Sequence, residues 1–195
     1  MHLLKIYPVL LVCFLLGLTN MGMIVRAQPN LSISFDKPEE LANWVIINDT
    51  VMGGRSEAKI RLEDNLLSFT GSLSLANNGG FASTRRAYSP VQWLPENALK
   101  VTILGDGRSY QFRLRTNKNM DGVSYVAEFK TSANEPQILH FTLQDFTPQY
   151  RGRVVRGAPN LAFEDVVQLG FMLADKRPGE FKLKVQSITQ VINPS

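Results

Sequence analysis

The chain has a single cysteine, Cys13, and two histidines, His2 and His140, in 195 residues. Cys13 and His2 fall in an N-terminal segment with the layout of an export signal. Lys5 gives a positive start, Val9 to Leu18 is apolar, and Val25-Arg-Ala27 is a small-residue cleavage pattern before Gln28. Residues 1–27 are therefore expected to be a signal peptide, leaving an exported, periplasmic or extracellular chain with no cysteine and only His140. Cys13 itself is not a lipidation site, because Leu11-Val12 precede it where a small pair is needed. Disulfide frameworks, cysteine nucleophiles and Cys/His zinc sites are excluded, and a Ser-His-Asp triad would have to use His140. The apolar stretch is shorter than the roughly 20 residues a membrane helix needs, so no transmembrane span is expected in the mature chain.

Charge of one sign is scarce as well. The net charge is +4, and without Lys5 and Arg26 it falls to +2, with 19 basic residues facing 17 acidic ones. Nucleic-acid binding asks for a basic stripe, not a small excess. Arg151-Gly-Arg153-Val-Val-Arg156-Gly157 lacks the interleaved aromatics of a single-strand platform, so no nucleic-acid partner is expected. Long 3.6-residue periodicity is missing, which argues against a βαβ fold.

What is present is alternation. Leu67, Phe69, Leu73 and Leu75 interleave with Ser68, Thr70, Ser72 and Ser74, giving a strand with one buried face. Asn78-Gly79 is a strong turn signal, and Phe81 to Arg85 is expected to return as a hairpin partner. Leu99, Val101 and Ile103, then Gly105-Asp-Gly107, then Tyr110, Phe112 and Leu114 predict a second hairpin. Tyr125, Ala127 and Phe129 form the next strand, with Glu128 set to face Arg113 or Arg115 across the ladder. Leu139, Phe141 and Leu143 continue the pattern, as do Phe181, Leu183 and Val185. Trp44 to Ile47 and Ala58 to Leu62 are further strands, and Val166 to Ala174 is apolar enough for a central strand covered on both faces. Asp36 caps a short helical turn that ends near Asn43, and residues 149–160 form a loop. Many short strands at regular spacing predict an all-β, jelly-roll-like sandwich in one domain over residues 35–192, after a lead-in of 28–34.

The residues with chemical potential are few. Gly105-Asp-Gly107-Arg108 has the glycines of a phosphate loop, but a strand follows where a dinucleotide fingerprint requires a helix, so a tight turn is the plainer reading. Asp49, Asp106, Asp145 and Asp175 stand in or beside loops. Converging carboxylates would suit acid–base chemistry or calcium, whereas Asx-turn bonding explains each one separately. Gln111, Arg113 and Arg115 line the polar face of one strand, as an anionic-ligand surface or as a solvated face paired with Glu128. No catalytic residue, metal or cofactor is expected.

Several separated motifs occur together in one order: Trp44, Asn48-Asp-Thr-Val-Met-Gly-Gly-Arg-Ser56, Phe69-Thr-Gly71, Asn77-Asn-Gly-Gly-Phe-Ala-Ser83, Gly105-Asp-Gly-Arg-Ser-Tyr110, Asp145-Phe146, Arg151-Gly152, Gly170 to Lys176 and Gly179-Glu-Phe181. In this, residues 35–190 resemble the complex I intermediate-associated protein family, thirty-kilodalton type. The resemblance implies a galactose-binding-like β-sandwich without catalytic activity. It also implies a chaperone-like role, since the family's mitochondrial member helps assemble the membrane arm of respiratory complex I. The chain departs from that member in its secretory-type leader and in lacking long extensions around the domain.

The expected partners are therefore proteins, such as a membrane complex or its assembly intermediates, met by loops at one end of the sandwich. The candidate binding residues are Asn48, Asp49, Met52, Gly53, Gly54, Arg55 and Ser56, then Asn77, Asn78, Gly79 and Gly80, then Gly105, Asp106, Gly107, Arg108 and Tyr110. Asn77 and Asn78 are expected to satisfy backbone groups of the Asn48–Ser56 loop. The alternative is a carbohydrate-binding module of the cell envelope, with Tyr88, Trp93, Tyr110 and Tyr125 as stacking platforms for a glycan.

Overall fold

Alternating sequences became strands throughout. A computed structural model describes residues 32–87, 93–95 and 97–192; the expected signal peptide and Tyr88 lie outside the described residues. Thirteen strands run in order among them: β1 (Ser32–Ser34), β2 (Trp44–Asn48), β3 (Glu57–Glu63), β4 (Leu66–Leu73), β5 (Ala82–Arg86), β6 (Asn97–Leu104), β7 (Ser109–Arg115), β8 (Ser124–Lys130), β9 (Pro136–Phe141), β10 (Thr147–Tyr150), β11 (Arg153–Val154), β12 (Gln168–Leu173) and β13 (Gly179–Ile192).

They form two antiparallel sheets. One has the order β3-β4-β13-β6-β9 with β1 also paired to β13, and the other the order β11-β10-β8-β7-β12-β5-β2. Strands of alternating pattern turn their apolar residues into the space between the sheets. Phe112 of β7 packs 5.2 Å from Phe141 of β9 across that space and 5.3 Å from Phe171 of β12 beside it. Phe69 and Phe181 meet at 4.9 Å within the other sheet. Tyr110, Phe112, Leu114, Leu169, Phe171 and Leu173 are all buried, so the opposite residues of β7 and β12 must face outward.

Two expected hairpins are not hairpins. β4 and β5 lie in different sheets, and so do β6 and β7. The Asn-Gly and Gly-Asp-Gly segments carry the chain from one layer to the other. Asn77 and Asn78 do adopt positive φ, at 56° and 58°, but local turn chemistry does not decide which strand a returning segment pairs with. The turn at Asp64-Asn65, also at positive φ, does close a true hairpin between β3 and β4.

Pro38–Asn43 is a 3-10 turn whose preceding residue is Lys37, and Asp36 instead accepts a hydrogen bond from the Ser34 hydroxyl. β9 ends at Phe141, because Thr142 and Asp145 form a reciprocal capping box that turns Leu143 into a 3-10 helix. Residues 149–160 contain the end of β10 and all of β11. Glu128 accepts from Gln111 Nε2 at 3.1 Å and pairs with neither arginine.

Candidate functional site

The Asn48–Ser56 and Asn77–Gly80 segments meet around one carboxylate. Asp49 is fully buried, and it accepts from Ser56 N at 2.9 Å, Ser56 Oγ at 2.6 Å, Gly80 N at 2.6 Å and Phe81 N at 3.3 Å. Burial alone would raise its pKa, but these donors outweigh burial and hold the carboxyl below its ordinary value. Two glycines make the approach possible. A Cβ on Gly54 would lie 2.3 Å from Asp49 Cγ, and one on Gly79 would lie 2.4 Å from Asp49 Oδ2. Asn77 Nδ2 donates to Gly53 O at 3.2 Å, as expected of that side chain. The knot ties the crossing from β4 to β5 onto the loop after β2.

Gly105 to Tyr110 sits at the same end of the seven-stranded sheet. Asn48, Ala82, Leu173 and Tyr110 lie opposite one another along successive strands, which puts the two loop groups about 15 Å apart at the usual strand spacing. This second group is also turned inward. Arg108 donates to both Asp175 oxygens at 3.0 and 2.7 Å and to the carbonyls of Gly179 at 3.1 Å, Glu180 at 2.9 Å and Arg177. Hydrogen bonding to Asp175 raises the Arg108 pKa. Asp106 accepts from Tyr110 Oη at 3.0 Å and from Lys182 N at 2.7 Å, and Tyr110, pushed up in pKa by burial, is entirely enclosed. A Cβ on Gly105 would meet Thr131 Cβ at 2.2 Å.

Asp49, Asp106 and Asp175 are thus each held by internal donors, as is Asp145 in its capping box. The proposed glycan platforms fare similarly. Trp93 is buried against Phe163 at 6.0 Å, and Tyr125 is buried with its hydroxyl on Pro159 O at 2.8 Å. Neither they nor Tyr110 can stack on a ligand.

The open feature is the outer face of the seven-stranded sheet. It forms a groove of about 870 Å³. One end is bordered by Val51, Met52, Leu75, Gly79 and Gly80, and the other by Met120, Asp121, Gly122, Arg151 and Gly152. Of the candidate binding residues in the loops, Met52, Gly79 and Gly80 line it, as do Gln111, Arg113 and Arg115 of the strand singled out in the sequence. The floor is a set of arginines: Arg113 and Arg85 lie on either side of Gly170 in one cross-strand row, and Arg115 pairs with Gln168 in the next. Arg85 escaped the sequence reading. Its signal was an arginine on the polar side of an alternating strand, as for Arg113 and Arg115. Burial pushes Arg85 and Arg113 down to about 10, with the neighbouring arginine charges adding to it. Burial also lowers Arg115.

With this geometry in view, relatives can be placed. Residues 33–185 match the model of the family described as Complex I intermediate-associated protein 30. The chain belongs to this family. The mouse protein named complex I intermediate-associated protein 30, mitochondrial, is 24% identical, the match covering 88% of this chain and 59% of the mouse protein. The Drosophila melanogaster protein of the same name is 22% identical over 86% of this chain and 64% of its own length. The chain therefore spans about six tenths of the complex I intermediate-associated protein 30 relatives it matches. Among solved structures, the family 11 carbohydrate-binding module from Clostridium thermocellum, in complex with a β-1,3-1,4-mixed-linked tetrasaccharide, superposes with a TM-score of 0.61. It shares 16% identity, covering 82% of this chain and 95% of the module. An exo-β-agarase superposes at 0.54 with 10% identity, over 85% of this chain and 25% of that one. These likenesses show the fold of this chain, a jelly-roll-like all-β sandwich built of two antiparallel sheets. No helix among the described residues is long and apolar enough to cross a membrane.

Proposed function

We propose that this protein is a non-enzymatic, protein-binding module that holds partner polypeptide in the groove of its seven-stranded sheet, in a chaperone-like role during assembly of a membrane complex. The observation that carries the reading is the make-up of the groove. Its exposed apolar lining is aliphatic and thioether: Val51 is 70% exposed, Met52 58% and Met120 53%, and Met172 stands on the floor between Gln111 and Ser83. Methionine-rich surfaces adapt to varied polypeptide side chains. The family's association with complex I intermediates, by name, supports the role. The 1–27 leader supports an exported location, outside the compartment that the relatives' names give.

The test is a photo-crosslinking residue placed at Met52 or Met120, with exposed Ile138 on β9 of the other sheet as control. Groove positions are expected to give a discrete adduct, and Met52→Asp is expected to suppress the one formed from Met120. Equal labelling from Ile138 would refute the reading. A glycan-binding module is the second reading, favoured by the fold it shares with the clostridial module. Calorimetry with the mixed-linkage tetrasaccharide decides it, and heat of binding in the millimolar range would move the conclusion to that side.

A further inference from the structure

The groove floor carries guanidinium groups that no carboxylate contacts, although the Asp121 charge acts on Arg85 and Arg115 from a distance. Arg85 Nη1 donates to Met120 O at 3.0 Å and to Gln168 Oε1 at 3.3 Å. Arg113 donates to Gln111 Oε1 at 3.0 Å, to Met172 Sδ at 2.8 Å and to the Ser124 hydroxyl. Arg115 Nη1 donates to Gly122 O at 2.8 Å. Every one of these acceptors is neutral. Among the described residues, the ion pairs formed involve Arg86, Arg108, Arg151 and Lys184, and none of the three floor arginines.

The contrast with Arg108 is instructive. That buried guanidinium has Asp175 in bidentate contact, the arrangement a desolvated cation ordinarily requires. The groove residues hold five basic side chains, Arg85, Arg113, Arg115, Arg151 and Lys176, against two acidic ones, Asp121 and Glu128. Asp121 is already taken by Arg151 at 2.7 Å and Tyr150 at 3.1 Å, and Glu128 by Gln111.

Between Arg85 and Arg113 the floor has no side chain at all. Gly170 occupies that place, and a Cβ there would run into Thr84 O at 2.1 Å. The two arginine backbones flank a trough about 10 Å wide, two strand spacings, which two guanidinium groups can close on a single carboxylate.

From this juxtaposition we infer that the segment held in the groove carries a carboxylate, seated over Gly170 between Arg85 and Arg113. The inference rests on the protein-binding reading above and makes it specific: the partner segment is acidic and apolar together. Its carboxylate belongs to Asp or Glu, or to a chain end. The thioethers Met52, Met120 and Met172 around the seat favour polypeptide over an acidic glycan, since of the two aromatic residues lining the groove Phe171 is buried and Phe81 half-buried.

The experiment uses the wild-type protein and three arrayed decapeptide pools randomised over Leu, Met, Ser and one further residue. The pools carry Glu with amidated ends, Gln with amidated ends, and Gln with a free C-terminal carboxylate. At physiological salt, the Glu pool or the free-carboxylate pool is expected to bind at least tenfold more strongly than the amidated Gln pool, and which of the two does so names the source of the carboxylate. In Arg85→Gln/Arg113→Gln that preference is expected to fall within twofold, while the melting temperature stays at or above wild type. Equal binding of all three pools would overturn the carboxylate seat and leave the groove reading standing. Binding of none would overturn both. Binding of an oligogalacturonate in preference to every peptide pool would overturn the polypeptide assignment.

Discussion

Replacing Asp49 by Asn tests the knot that builds one end of the groove. The change keeps size and shape but turns one carboxylate oxygen into an NH2. Oδ2 accepts from Ser56 Oγ at 2.6 Å, Gly80 N at 2.6 Å and Phe81 N at 3.3 Å, whereas Oδ1 accepts only from Ser56 N at 2.9 Å, so the amide sits best with its NH2 in place of Oδ1. The Ser56 backbone N–H then faces a donor and cannot turn away. One buried donor left in this way costs about 1–3 kcal/mol, so a loss of about 2 kcal/mol is expected. In a domain of this size that lowers the melting temperature by about 6 °C. Urea unfolding followed through the buried indoles of Trp44 and Trp93 measures it directly. The pH dependence supplies an independent check. The folded carboxyl titrates below its ordinary value of 3.8, so the stabilisation is complete above that value and disappears as pH falls through the lower folded one. Wild type and Asp49→Asn should therefore converge in acid. A variant within 1 kcal/mol of wild type at pH 7, or a gap unchanged at pH 2, would refute the reasoning.

Gly79→Ala should destabilise by a similar mechanism from the other side, since its Cβ would displace Asp49 Oδ2; chemical denaturation is expected to show a loss above about 2 kcal/mol. Arg108→Lys keeps the charge but forfeits the bidentate grip on Asp175 and most of the carbonyl contacts, so a loss of about 3 kcal/mol is expected by the same assay. Arg113→Met, by contrast, should raise stability by about 1 kcal/mol, because it removes a desolvated charge with no carboxylate partner; a melting temperature below wild type would contradict that. Gly170→Ala should damage the β12–β5 pairing through Thr84 O, read as faster amide exchange in β5.

Strands were legible because burial on one face imposes alternation whatever the neighbours are. β3, β7, β8 and β13 stand where apolar residues fall at every second position, and β2 and β12 where apolar runs stand. Sheet membership was not legible. Residues 67–75 and 81–85 read as a hairpin because the Asn-Gly chemistry between them is that of a hairpin, yet the partner of each strand is fixed by long-range packing and by a carboxylate 31 residues away from Gly80 in sequence. Spacing cannot reveal such a contact. The same limit applies to the site. Arg113 and Arg115 showed themselves as polar residues on one strand, but Arg85 joins them only because β12 lies between β5 and β7 with a glycine at the crossing row. The stacking aromatics misled for the opposite reason: tyrosine and tryptophan serve a core and a binding face equally well, and here Tyr110, Tyr125 and Trp93 went to the core.

The position of β13 constrains how the molecule comes into being. This strand follows the other twelve in sequence, yet it occupies the middle of its sheet, pairing with β4, β6 and, through Ser187–Thr189, with β1. Until it is synthesised, β4 and β6 present open edges with no partner between them, and β1 has nothing to join. A nascent chain of this kind cannot complete its sheet on the ribosome strand by strand. It must wait in an unfinished state whose exposed edges invite pairing with other chains, and β13 acts as the closing step of folding.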